Sequence, residues 1–120
     1  MKKIVLTAND ELGLDGDMAM HFGHCPYYVV AHVHEDNRVE KAEVQDNPYL
    51  NGHQPGQIPQ FIKSLGADVV IAGGMGAKAI DWFKKLDIEV VTGAQKGVGA
   101  TLDAYLAGNM AGASGCNHEH

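Results

Sequence analysis

Hydrophobic positions change period near the middle of the chain. Lys3 to Thr7 carries the apolar run Ile4-Val5-Leu6 and ends at the turn formers Asn9 and Asp10, the pattern of a buried strand. Tyr27 to His34 is rich in strand formers (Tyr27, Tyr28, Val29, Val30, Val33). Glu35-Asp36-Asn37 supplies a turn, and Arg38 to Gln45 sets Val39 and Val44 among charged residues. These two stretches predict an antiparallel hairpin. Beyond them the period lengthens. Ile58, Phe61, Ile62 and Leu65 fall at i, i+3, i+4, i+7, one face of a helix that Gly66 ends. Asp68 to Ala72 reads as a short apolar strand. The run Gly73-Gly74-Met75-Gly76 opens a second helix, with Ala79, Ile80, Phe83 and Leu86 inward and an Asp81/Lys85 pair outward. Ile88 to Val91 is another short strand. A glycine-rich stretch, Gly93 to Gly99, leads into a last helix carrying Val98, Leu102, Tyr105 and Leu106.

The order is therefore strand, hairpin, helix, strand, helix, strand, helix. Helix–strand alternation with short apolar strands implies parallel pairing covered by helices, and the hairpin adds antiparallel strands. The fold class is α/β, with one mixed sheet. Two stretches stay outside the pattern: residues 9–26, with Gly13, Gly16, Gly23 and Pro26, and the polar segment Asp46 to Pro55. A loop as long as the first is functional or disordered in a compact domain. From Gly108 the sequence turns Gly/Ala/Ser-rich and ends Cys116-Asn117-His118-Glu119-His120. The division expected is an α/β domain over residues 1–108 and a mobile tail over 109–120.

At 120 residues the chain fits one core. A hydrophobic share of 45% and a charged share of 20% are ordinary for a globular domain. No apolar run approaches membrane-spanning length, and the start at Met1-Lys2-Lys3 lacks the long apolar stretch of a signal peptide. The compartment expected is the cytoplasm, where the two cysteines stay reduced. A formal charge of −6 disfavours a general nucleic-acid surface.

The seven histidines cluster. His21, His24 and Cys25 lie within five residues, and imidazole nitrogen and thiolate sulfur suit zinc, copper, iron and iron–sulfur centres. Met18 and Met20 add thioethers nearby. The plainer reading packs His21 on a strand, buries Cys25 as a small hydrophobe and leaves His24 in solvent. Cys116, His118 and His120 alternate, so an extended backbone presents them on one face. They make a partial metal site short of a fourth ligand, which the His21 loop or another chain could supply; the plainer reading is a polar end. Gly73, Gly74, Met75 and Gly76 follow a strand and open a helix, where glycine admits close approach of a ligand and helix amides attract anions. Lys78 and Lys96 add charge. The spacing is neither a P-loop nor a dinucleotide fingerprint, and tight turns alone also explain these glycines. Gly93, Gly97 and Gly99 precede the last helix similarly. Parallel strands would bring both glycine loops, and the loop after the first strand, to one sheet edge. His32 and His34 are read as solvent-facing strand histidines, and His53 lies in the second loop.

Four features taken together, His21-Phe22-Gly23, Gly66-Ala67-Asp68-Val69-Val70-Ile71, Gly73-Gly74-Met75-Gly76 and Ile88-Glu89-Val90-Val91-Thr92-Gly93-Ala94, make the chain resemble the dinitrogenase iron–molybdenum cofactor biosynthesis family. That group includes nitrogenase cofactor carriers and molybdenum–copper orange proteins, and the resemblance covers roughly residues 3 to 107. It implies a ribonuclease H-like single domain with a five-stranded mixed sheet and about three helices. It also implies a non-catalytic role: binding or carrying a metal–sulfur cluster of iron, molybdenum or copper, with His21 as the cluster contact and donor or acceptor proteins as partners. The chain departs from the family in carrying Leu14 to Met20 where members often have a serine-rich segment, and in having Cys25 and the Cys/His tail.

An enzyme reading finds little support. A ribonuclease H-like nuclease needs a carboxylate in its first strand to hold divalent metal, and Ile4-Val5-Leu6 offers none. Two alternatives stay open: a small-anion or nucleotide-binding module built on the glycine loops, and a simple zinc- or copper-binding protein.

Overall fold

Lys2–Ala8, strand β1, lies at the centre of a five-stranded sheet ordered β3-β2-β1-β4-β5. A computed structural model describes residues 2–19, 25–49, 56–93 and 96–108 of the chain. The candidate residues His21, Phe22, Gly23, His24, Cys116, His118 and His120, with Met20 and His53, lie outside them. The remaining elements are β2 (Tyr27–Val33), β3 (Val39–Asp46), α1 (Gln57–Ser64), β4 (Val69–Ile71), α2 (Ala77–Lys85), β5 (Glu89–Val91) and α3 (Val98–Leu106). The mixed five-stranded sheet and the three helices agree with the sequence pattern.

The hairpin forms as the alternation predicts. Tyr28 pairs with Gln45 and Ala31 with Ala42, antiparallel, and Asn37 turns the chain at φ +69°, a conformation asparagine tolerates well. β1 pairs antiparallel with β2, Val5 opposite Val30, and parallel with β4, Val5 opposite Val70. β4 and β5 are parallel.

Alternation sends side chains to two cores. Val5, Tyr28, Val30, Val70 and Val90 face α1 and α2, where Ile58, Ile62, Ile80 and Phe83 close over them. Ile4, Leu6, Val29, Ala31, Val69, Ile71 and Val91 face α3 through Val98 and Leu102. β1 and β4 are buried on both faces, which is why they read as unbroken apolar runs rather than alternating ones. Gly66 ends the α1 segment at φ +85°, as predicted.

The structure departs from the sequence pattern in four places. The 9–19 stretch is not a plain loop. It makes a short 3₁₀ turn at Gly13–Asp15 and then runs back along the sheet, with Ala8 bridged to Met18 and Asp17 to Gly97. No periodicity marks such one-residue bridges. Gly99 does not precede the last helix; it sits in the first turn of α3. A Cβ there would stand 2.8 Å from the Leu14 carbonyl oxygen, so glycine lets the 3₁₀ turn lie against α3. Met18 is not a loop thioether; it is buried in the α3 core. Finally, His32 and His34 do not simply face solvent. Their side chains are 12% and 31% exposed, and each is held by a glutamate of β3, His32 Nε2 to Glu43 Oε2 at 2.6 Å and His34 Nε2 to Glu40 Oε1 at 2.7 Å. Cross-strand neighbours on one sheet face make such pairs, and the His32 contact holds the Glu43 carboxyl below its usual range.

Candidate functional site

Parallel pairing of β1, β4 and β5 sets their carboxyl ends side by side. Three loops leave there: residues 9–19 after Ala8, residues 72–76 after Ile71, and the stretch after Val91 that resumes at Lys96. Backbone hydrogen bonds join them. Met18 N donates to Lys96 O at 2.8 Å, Val98 N to Gly16 O at 2.9 Å, Ala72 N to Val91 O at 3.1 Å and Gly93 N to Gly73 O at 3.4 Å. The expectation that the glycine loops and the loop after β1 share one sheet edge is met for the described residues.

Both described flanks of the His21 segment are fixed at this edge. Ala19 N donates to Thr7 O at 3.0 Å, and the Thr7 hydroxyl donates to Ala19 O at 3.0 Å. On the other side, Cys25 precedes Tyr27, which pairs with Ala8, and Cys25 O accepts from Asn47 Nδ2 at 2.8 Å. Asn47 also takes its backbone bond from this segment, N to Pro26 O at 3.0 Å. Ala19 and Cys25, the described residues on either side, thus both lie at the carboxyl end of β1.

Two helices begin at the same edge, and glycine caps each. Gly76 caps α2 and Gly97 caps α3, both in extended conformation, and neither first turn carries an acid. In α2 the first amide bonded within the helix is Ile80 N, to Gly76 O, so the amides of 77–79 lie ahead of that ladder. Exposed Lys78 and Lys96 stand beside these starts. Helix-start amides and these lysines contribute positive potential at the edge, beside the acids Asp10, Glu11, Asp15 and Asp17 of the loop after β1. The Asp10 carboxylate accepts from Leu12 N and Asp17 N, at 3.1 and 3.3 Å.

Gly76 is informative for what does not require it. Its φ is −72° and ψ 159°, values open to any residue, and a Cβ built on it meets no described atom within 4 Å. Neither conformation nor packing among the described residues demands glycine; it serves as the N-cap of α2 and leaves the backbone there open to close approach. Met75, its neighbour, packs half-buried against the α1–α2 core.

Cys25 has a different environment. It is fully buried beside Ala19, Tyr28 and Ile58. Burial pushes its thiol up to about 11, partly offset by hydrogen bonding with Tyr28 and the Ala8 backbone. Burial and the neighbouring Cys25 likewise push Tyr28 up. The site favours a neutral thiol, whereas a metal takes the thiolate. Among the described residues no group of three or more His, Cys, Asp or Glu side chains could hold a metal ion. No helix among them is long and apolar enough to cross a membrane.

Comparison with known proteins gives consistent matches. The sequence profile of the family described as dinitrogenase iron-molybdenum cofactor matches residues 1–108. An uncharacterized protein of Methanocaldococcus jannaschii is 25% identical over 95 residues, 78% of this chain and 80% of that one. The crystal structure of PH0822 superposes with a TM-score of 0.81 at 31% identity, covering 92% of this chain and 96% of that chain. The apo form of the orange protein from Desulfovibrio gigas superposes at 0.83 with 28% identity, over 98% of both chains.

Proposed function

The chain belongs to the dinitrogenase iron-molybdenum cofactor family, and from that membership we propose that it binds and carries an anionic metal–sulfur cluster in the groove at the carboxyl ends of β1, β4 and β5, without catalysing a reaction of its own. The observation that carries this reading is the undemanded glycine at Gly76, at the start of α2 and on the edge where the His21 segment is anchored. A cluster rich in sulfide is large, anionic and lacks directional donors. Backbone amides and a side-chain-free approach suit it better than a pocket of fixed carboxylates would. His21 is the leading candidate ligand, with Phe22 and Gly23 next to it in sequence, and Gly73, Gly74, Met75 and Gly76 line the groove. His24 is a second candidate ligand. Cys25 contributes packing that fixes the segment's end.

The sheet order β3-β2-β1-β4-β5 supports a ribonuclease H-like classification. β1 holds no acid, which argues for a carrier rather than a metal-dependent nuclease. The cargo contains iron, molybdenum or copper, and it moves between donor and acceptor proteins in the cytoplasm. Protein purified anaerobically under reducing conditions tests this by metal and sulfide analysis and by its visible spectrum. Charge-transfer bands with stoichiometric sulfide are expected. Metal-free protein stabilised only by nucleotide would overturn the reading in favour of an anion-binding module, and colourless protein with zinc alone would overturn it in favour of a simple metal site.

A further inference from the structure

β3, at eight residues, ends the sheet on one side, with β2 as its neighbour and no described strand beyond it. One backbone bond shows which way its polar groups point. Asn47 N donates to Pro26 O at 3.0 Å. Bonded and non-bonded pairs alternate along an antiparallel ladder, so residues 45, 43 and 41 also turn their backbone groups toward β2, while Ala42, Val44 and Asp46 turn theirs outward. Glu40 is the extra residue of a bulge between the Val33–Val39 and His32–Lys41 pairs, and a bulge interrupts regular pairing. The regular outer edge is therefore Ala42-Glu43-Val44-Gln45-Asp46, with Val44 at its midpoint.

Proteins blunt such edges with lysine, proline or a bulge. This run holds no Lys or Pro, and the bulge lies outside it. What it holds instead is an exposed hydrophobic. Among the described residues the large hydrophobics that stand exposed are Leu12 and Val44, at 63% and 36%. They are neighbours: a Cβ on Gly13 would stand 3.7 Å from Val44 Cγ2. Val44 pairs with Val29 on the α3 face of the sheet, so the two form one apolar patch at that edge.

We propose that this edge is a dimer interface: two copies of the chain pair antiparallel through residues 42–46, about a two-fold axis at Val44, and continue the sheet to ten strands. A two-fold interface must complement itself, and this run does. Val44 meets its own counterpart, with a Leu12 beside each. Glu43 stands opposite Gln45 and Ala42 opposite Asp46, so no like charges face each other. Other registers lack this fit. An axis at Glu43 or Lys41 sets like charges together, one at Gln45 sets Val44 against Asp46, and one at Ala42 carries the pairing into the bulge. Glu43 is in addition held by His32 at 2.6 Å and Lys41 at 3.7 Å of its own chain. The antiparallel arrangement turns the two cluster grooves to opposite ends of the joined sheet. The interface does not rest on the cluster reading, and its failure leaves that reading untouched.

Sedimentation of the full-length reduced protein over a range of concentrations tests it. A concentration-dependent monomer–dimer equilibrium is expected, tightening as salt rises because each chain carries a charge of −6. Val44→Lys sets two lysines face to face on the axis and should weaken the dimer at least about tenfold; thermal melting of this variant confirms that the fold survives. In a Cys116→Ser background, Val44→Cys should form a covalent dimer under mild oxidation, since bonded antiparallel partners stand about 5.5 Å apart at Cα, within disulfide reach. Ala42→Cys should not. A chain that stays monomeric up to about 1 mM leaves the edge to a strand of some other protein and overturns the proposal. Undiminished dimer in folded Val44→Lys, or cross-linking of Ala42→Cys in place of Val44→Cys, would overturn it as well.

Discussion

Cys25 shows how far a residue's chemistry depends on what surrounds it. As a letter between His24 and Pro26 it belongs to a ligand-rich run; in the fold it is a buried thiol against Tyr28. A group whose folded pKa is raised gives stability that is full below its unfolded value and lost as pH rises through the folded one. For Cys25 that window runs from 9.0 to about 11. Melting temperatures measured across it should fall more steeply for the wild type than for Cys25→Ala, which also loses the part of the Tyr28 shift that Cys25 causes. In a Cys116→Ser background, modification of Cys25 by a thiol reagent at neutral pH should proceed only as fast as the protein opens. Gly76 makes the converse case. An alanine there meets open space, so Gly76→Ala should shift stability by less than about 1 kcal/mol in chemical denaturation while weakening whatever binds in the groove. The sequence could name both residues; burial of the first and openness around the second arise from segments distant in the chain.

Elements with strong periodicity were legible. α1, α2 and α3 follow from apolar residues at helical spacing, and the hairpin from its alternation around Glu35-Asp36-Asn37. What escaped was contact between elements. Gly99 looked like loop punctuation because its neighbours Gly93 and Gly97 are, yet it is the α3 residue on which the Gly13–Asp15 turn rests. Gly99→Ala drives a methyl toward the Leu14 carbonyl and should cost about 1–3 kcal/mol in chemical denaturation, the range for overpacking a close contact. The same change at Gly76, where a Cβ meets no described atom within 4 Å, should give no such loss. Leu102→Ala, one helical turn further and fully buried, should cost about 2–5 kcal/mol by loss of burial and the cavity left behind.

At the scale of the whole molecule, sheet order decides what meets. Parallel β1, β4 and β5 bring the two glycine loops and the flanks of the His21 segment to one edge, a juxtaposition that the alternation of helices and strands foretold. The same topology sends α3 away from that edge, so that its end stands beside the β2–β3 turn, with Asn37 Nδ2 donating to Leu106 O, a contact that spacing alone could not foretell because the two residues are far apart in sequence. The most direct measurement of the central claim is a cluster-loading titration. Protein is incubated anaerobically with iron, molybdate and sulfide, with copper in parallel, and loading is read from the visible charge-transfer bands. The wild type should load to stoichiometry, and His21→Ala should need at least about tenfold more cluster, a loss of about 1.4 kcal/mol in binding, with an unchanged melting temperature. Equal loading of wild type and His21→Ala would contradict the account.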